Sequence, residues 1–145
     1  MRINHVAVAA SALAYWMLGA VWYTAFANPF IALMRWGPED LARVEAEGAG
    51  LQLVAALAAS LVAAYALAYF VKFTGAEDAR RGALVGLLAW LGFVATTNLN
   101  TVLFEFRPAG LYLINAGYHL VGLLGTGALL AVWKRREARA PAYQS

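Results

Sequence analysis

Polar residues that could form a binding site are concentrated in two neighbouring apolar stretches of this 145-residue chain. Asn98, Thr101 and Glu105 are spaced i, i+3 and i+7, so they share one face of a helix. Asn115 and His119 are four residues apart and share a face of the next helix. Amides and hydroxyls bind ligands through neutral hydrogen bonds, and a histidine with an unperturbed pKa of about 6.5 can also take up a proton at physiological pH.

These residues can meet because the short turn at 105–108 makes the two helices antiparallel neighbours. A rise of about 1.5 Å per residue places Asn98 roughly 7 Å, and Asn115 roughly 9 Å, to the outer side of the midpoints of their helices. Tyr23, near the outer end of the first apolar stretch, reaches the same level. The sequence therefore predicts a polar pocket in the outer leaflet lined by Tyr23, Asn98, Thr101, Glu105, Asn115 and His119.

Two other roles for these side chains stay open. Asn, Thr and His inside a membrane also join helices by hydrogen bonds, each worth about 0.6 kcal/mol on average. His119 could alternatively act as a general base with Glu105, although Glu105 beside Arg107 also fits an ion pair in the turn.

No metal, cofactor or catalytic residue is predicted. The chain contains no cysteine, which excludes thiolate ligands and cysteine nucleophiles. His5 and His119 would differ in depth by roughly 18 Å, so one haem iron cannot lie between them. The sequence also lacks the H-E-x-x-H pattern of zinc proteases and the glycine-rich loop that binds phosphates.

The helices that hold these residues are indicated by the distribution of charge. Residues 3–34, 48–71, 82–104 and 108–133 contain no Asp, Glu, Lys or Arg. Each stretch exceeds the roughly 20 apolar residues that cross a bilayer core as a helix. The chain is 63% hydrophobic and 13% charged, against about 25% charged residues in soluble domains. We predict an all-α, multi-pass membrane protein, a four-transmembrane-helix bundle.

The predicted bundle is a single transmembrane domain over residues 1–145, with spans at about 5–26, 51–70, 83–104 and 111–133. An outer loop covers 27–50, with a chain break at Asn28-Pro29 and a short helix starting at Gly37-Pro38, and a tail covers 134–145. Glycines and alanines at helical spacing, among them Gly82 and Gly86, predict close helix packing within the bundle or in an oligomer.

The cations predict the orientation of the bundle. The side shared by the two termini carries eight Lys and Arg residues, and the opposite side carries three. The three are Arg35, Arg43 and Arg107. This excess places both termini in the cytoplasm. Ala25-Phe26-Ala27 resembles a signal-peptide cleavage site, but the apolar run before it is longer than a signal peptide needs, which favours a retained helix.

Several short stretches resemble one known family. They are Trp22-Tyr23, the run 91–97, Phe104-Glu105, Arg107-Pro108 and, most specifically, the run Leu113–Leu120. In these residues the chain is similar to the bacterial membrane family named domain of unknown function 1761, over nearly its whole length. The resemblance implies a four-helix protein of the bacterial inner membrane and brings no established activity, substrate or cofactor.

The leading functional hypothesis is a non-enzymatic binding or assembly unit, either an oligomer or an accessory subunit of a membrane complex. Its expected partners are the lipid bilayer, further copies or other subunits, and a small ligand or lipid headgroup in the pocket. An oligomeric transporter or channel for a small solute or a proton is the alternative, and a membrane enzyme using His119 is the third. Nucleic acid is not expected, because the basic residues lie where membrane topology requires them.

Overall fold

The computed structural model describes residues 3–139, and the side chains of residues 3–134. Six helices and no strand are present in this range: α1 His5–Ala25, α2 Ala27–Met34, α3 Pro38–Glu47, α4 Gly50–Thr74, α5 Ala79–Leu103 and α6 Ala109–Arg139. Helices α1, α4, α5 and α6 are long and apolar enough to cross a membrane. The prediction of an all-α membrane protein with four spanning helices is confirmed. Arg2 and residues 140–145 of the predicted tail lie outside the described residues.

The segment between α1 and α4 is mostly helical, and we call its side of the bundle the outer side, following the predicted orientation. The chain breaks at Phe26, two residues before the expected break at Asn28-Pro29, and Pro29 lies in the first turn of α2. A proline is tolerated there because the first amides of a helix have no partner within it. Helix α3 begins at Pro38 as predicted, where the Asp40 carboxylate accepts a 2.9 Å hydrogen bond from the Gly37 amide.

Helices α5 and α6 approach each other most closely along their inner halves. A Cβ atom on Gly82 would overlap the carbonyl of Gly127, and one on Gly86 would overlap the carbonyl of Leu123. Only glycine lets two backbones come this near, so the predicted close-packing role of Gly82 and Gly86 agrees with their position in the structure. Helix α4 packs through a buried stripe of small residues that contains Ser60, Ala64 and Ala68.

The outer half of α5 is irregular and loosely packed. A π-helical turn runs from Trp90 to Ala95, and a second irregularity occurs at Leu99. In the outer half of α5, Ala95 alone is buried, and residues 96–100 are all exposed. Across the four spans, only 22% to 39% of the residues are buried within one chain. Most of the helical surface is therefore left for lipid or for another protein.

Candidate functional site

The centre of the bundle contains a polar contact between α1 and α6. The Tyr15 hydroxyl and the His119 Nδ1 atom are hydrogen-bonded at 2.6 Å. About two turns farther out, the Tyr23 hydroxyl donates a 2.7 Å hydrogen bond to the Asn115 carbonyl oxygen. Tyr15 is only 5% exposed. These two pairs join α1 to α6, which lie far apart in the sequence. The residues of both pairs lie on the sides of α1 and α6 that face each other.

A third tyrosine lies between these two pairs. The ring centre of Tyr118 is 5.3 Å from that of Tyr15 and 5.5 Å from that of Tyr23. Its hydroxyl donates a 3.3 Å hydrogen bond to the Tyr15 carbonyl. Tyr15, Tyr23, Asn115, Tyr118 and His119 form one network, which we call the α1–α6 clamp.

Glycines make the room that the rings of this network occupy. The Tyr15 ring fills the position that a Cβ atom on Gly122 would take, and a Cβ on Gly19 would lie 3.1 Å from the Tyr118 hydroxyl. The clamp is therefore assembled from large aromatic residues on one helix that pack against glycines on the other. Two side-chain hydrogen bonds cross between the helices within the clamp, and its rings fill the space between them.

Tryptophan side chains tie the helices together around the clamp. The Trp22 indole N–H donates a 3.0 Å hydrogen bond to the Ile114 carbonyl on α6. The Trp90 indole N–H, from the π-helical turn of α5, donates a 2.8 Å bond to the Ala116 carbonyl. The Trp16 indole N–H donates a 3.0 Å bond to Leu53 on α4. The described spans are thus linked by polar contacts to backbone carbonyls that lipid cannot supply.

The structure does not bring the other three predicted residues into the clamp. The Asn98 amide donates to the Val94 carbonyl, and the Thr101 hydroxyl donates to the Asn98 carbonyl, both within α5. Glu105 accepts a 3.0 Å bond from Arg107 in the exposed outer turn. No hydrogen bond joins any of the three to Tyr23, Asn115 or His119 in the described part of the chain. The reason is local: the predicted face assumed a regular helix, whereas α5 is irregular at Leu99 and ends at Leu103.

Two clamp residues, Tyr15 and Tyr118, were absent from the predicted site. A tyrosine in an apolar stretch looks like an ordinary lipid-facing aromatic residue, so composition gives no reason to single it out. The usable signal was spacing, because Tyr15 lies eight residues before Tyr23 and therefore near the same face of α1. Tyr118 had the weaker signal of adjacency to His119.

The outer half of α5 forms a second polar region, on the outside of the bundle. Thr96, Thr97, Asn98 and Asn100 are all exposed. The Thr96 and Thr97 hydroxyls donate to carbonyls one turn earlier in the same helix. The Asn100 side chain makes no hydrogen bond with any residue that the structure describes. An apolar groove of about 500 Å³ lies elsewhere, on α1, lined by Ala20, Val21, Thr24 and Ala25.

Four clamp residues lie in the stretches on which the family resemblance rests, namely Tyr23, Asn115, Tyr118 and His119. The family described as "Protein of unknown function (DUF1761)" matches residues 6–131. Among curated proteins and among solved structures, no match to the chain is found. The match covers most of the 145 residues and confirms the expected resemblance. The chain belongs to the DUF1761 family of proteins of unknown function.

Proposed function

We propose that this protein is a non-enzymatic assembly unit, which joins another membrane-embedded helix through the outer half of α5. One observation carries the proposal: Asn100 is exposed within a membrane-spanning helix, and its side chain has no hydrogen-bond partner among the described residues. A partner helix would cover this surface and supply the missing bond.

The depth of Asn100 favours such a partner. The uncharged stretch 82–104 has its midpoint near residue 93, so Asn100 lies about 10 Å outward of that midpoint at about 1.5 Å per residue. Half of a hydrocarbon core about 30 Å thick extends about 15 Å. Acyl chains offer no hydrogen bond, and an unpaired amide in such surroundings costs several kcal/mol.

The interior of the bundle supports assembly over ligand binding. Two side-chain hydrogen bonds of the α1–α6 clamp cross between the helices, and its rings fill the space between them. Buried apolar residues continue the core inward, with Val8, Ala64 and Leu67 each at most 1% exposed. The interior is thus built to hold the helices together. Exposed polar side chains lie on the outside of the bundle, in the outer half of α5.

The charge distribution and the family resemblance support the bacterial inner membrane as the location, with both termini in the cytoplasm. In that orientation, the polar half of α5 and the acidic helix α3 lie towards the outer side of the membrane. A partner subunit would therefore meet this protein in the outer leaflet.

Native mass spectrometry of the protein released from lipid nanodiscs tests the proposal. We expect an assembly heavier than the 15.6 kDa monomer, which falls to the monomer mass when Thr96 and Asn100 are both replaced by Leu. The control is Val62→Leu on α4, where Val62 is 70% exposed; the assembly should persist in this variant. A wild-type protein that is monomeric in its native lipid would refute the proposal, as would loss of the assembly in the control alone.

A further inference from the structure

We infer that the partner of this surface is a second copy of the same chain, with the Asn100 side chains of the two copies hydrogen-bonded to each other across a two-fold axis. This inference rests on the proposed function and names the partner that it requires. The surface is defined by Gly92, Thr96 and Asn100, and we call it the α5 outer face.

Asn100 differs from the other polar residues of its helix. The side chains of Thr96, Thr97, Asn98 and Thr101 all donate to carbonyl groups of α5 itself. Among the Asn and Thr residues of α5, all of which the structure describes, Asn100 alone has no such bond. The Asn100 carboxamide is therefore the group of the α5 outer face that still needs a hydrogen-bond partner.

A carboxamide is its own hydrogen-bonding complement. It carries an N–H₂ group that donates and a carbonyl oxygen that accepts. Two Asn100 side chains related by a two-fold axis can form both bonds of a symmetric pair, which an isologous dimer interface provides. Nothing else is needed to satisfy the group. A partner of different sequence would need its own hydrogen-bonding group at the matching depth.

The α5 outer face also permits two copies to come close. Gly92 lies in the π-helical turn and Thr96 and Asn100 in the turns that follow it, and all three are exposed. A step of four residues is close to one full turn in both kinds of helix, so the three lie near one another on the surface of α5. A Cβ atom on Gly92 would meet nothing within 4 Å in the single chain. Small residues at this spacing let a second backbone approach. Gly92 thus differs from Gly82 and Gly86 on the same helix, which are already used against α6.

Charge does not oppose the pairing of two identical faces. Residues 82–104 contain no Asp, Glu, Lys or Arg, so the faces meet without like-charge repulsion. The nearest charges beyond Asn100 are Glu105 and Arg107, which are already paired with each other within one chain at 3.0 Å. Self-association therefore places no unpaired ion in the interface.

Disulfide trapping in native membranes tests the inference directly, because the chain has no cysteine of its own. Asn100→Cys and Thr96→Cys are expected to give an oxidised dimer at twice the 15.6 kDa monomer mass. Asn98→Cys is the matched control: it is the same residue type, also exposed, and two positions away, which turns it to another side of the helix. Equal trapping at position 98, or none at positions 96 and 100, would overturn the inference.

A second measurement does not depend on introducing a thiol. Förster transfer between labelled copies in vesicles gives the dimer dissociation constant. Loss of the interhelical bond in Asn100→Leu should weaken the dimer by roughly 3-fold to 20-fold. Asn100→Gln keeps the carboxamide and should recover most of the affinity. An unchanged constant in Asn100→Leu would overturn the role of the amide.

The outcomes separate this inference from the proposed function. Native masses that contain two copies of the chain support both. Masses that contain one copy together with a different subunit would overturn the self-pairing and leave the assembly role in place. A monomer in native lipid would overturn both.

Discussion

The hydroxyl of Tyr15 and the Nδ1 atom of His119 are 2.6 Å apart, although 104 residues separate them in the chain. This pair fixes the middle of α1 against the middle of α6. The Tyr23–Asn115 pair, at 2.7 Å, fixes the same two helices nearer their outer ends. Two bonds at different heights determine both the register and the relative rotation of two helices. Hydrophobicity alone does not, because apolar faces are equally satisfied by lipid.

Removal of the Tyr15 hydroxyl should therefore destabilise the bundle. In Tyr15→Phe the ring still fills the space beside Gly122, so the change isolates the hydrogen bond to His119. We expect a loss of about 0.6 kcal/mol, and at most about 1.7 kcal/mol, in the free energy of unfolding. Titration with a denaturing detergent in mixed micelles measures it.

The chain contains a matched control for this experiment. Tyr65 and His5 form a second Tyr–His hydrogen bond, at 2.8 Å, which is exposed. Tyr65→Phe should change the free energy of unfolding less than Tyr15→Phe does, because solvent or lipid headgroups can replace an exposed bond. Equal losses in the two variants would contradict the structural role assigned to Tyr15.

Two glycines of α6 should respond in opposite ways to alanine. The methyl group of Gly122→Ala would occupy the position of the Tyr15 ring, and such overpacking costs about 1–3 kcal/mol. Gly125, three residues away, has open space around a Cβ atom. Gly125→Ala should be neutral, or should stabilise the helix by up to about 1 kcal/mol. Detergent unfolding compares the two, and a similar effect at both positions would argue against the packing of Tyr15 on Gly122.

The sequence predicts the spans well because the physical cause is strong and local. An ion within hydrocarbon is costly, so charge-free stretches mark the helices, and glycine with positive φ ends α4 at Gly75. The pairing of α1 with α6 depends on which faces meet. Tyr23, Asn115 and His119 were identified because polar groups inside a membrane face protein partners.

Asn98, Thr101 and Glu105 do not contact the clamp in the structure, and their helix is irregular. Their spacing predicts a common face only if the helix continues regularly to Glu105, whereas α5 is irregular at Leu99 and ends at Leu103. The π-helical turn at Trp90–Ala95 lies before all three residues and rotates them together relative to the first half of α5. No residue type marks this turn in the sequence. The Trp90 indole N–H at the start of this turn donates to the Ala116 carbonyl, a contact with α6 that the sequence alone does not reveal.

The orientation of the bundle predicts which loops can be labelled from outside the cell. With both termini in the cytoplasm, the turn at Glu105 faces outward and the loop at Glu77 faces inward. In the cysteine-free chain, a membrane-impermeant maleimide should label Glu105→Cys in intact cells and Glu77→Cys only after lysis. The reverse pattern would show that the orientation expected from the cations is wrong.

A double-mutant cycle should distinguish the residues that belong to the clamp from those that lie outside it. Tyr23→Phe and Asn115→Leu remove the two partners of one 2.7 Å hydrogen bond, so their effects on the free energy of unfolding should be coupled by about 0.6 kcal/mol. Tyr23→Phe and Asn98→Leu share no contact in the described residues, because the Asn98 amide bonds to Val94. The effects of this second pair should add to within about 0.3–0.5 kcal/mol. If the Tyr23–Asn98 pair couples as strongly as the Tyr23–Asn115 pair, Asn98 belongs to the clamp and the outer half of α5 turns inward in the membrane. The cycle thus tests the exposure of α5 independently of any partner.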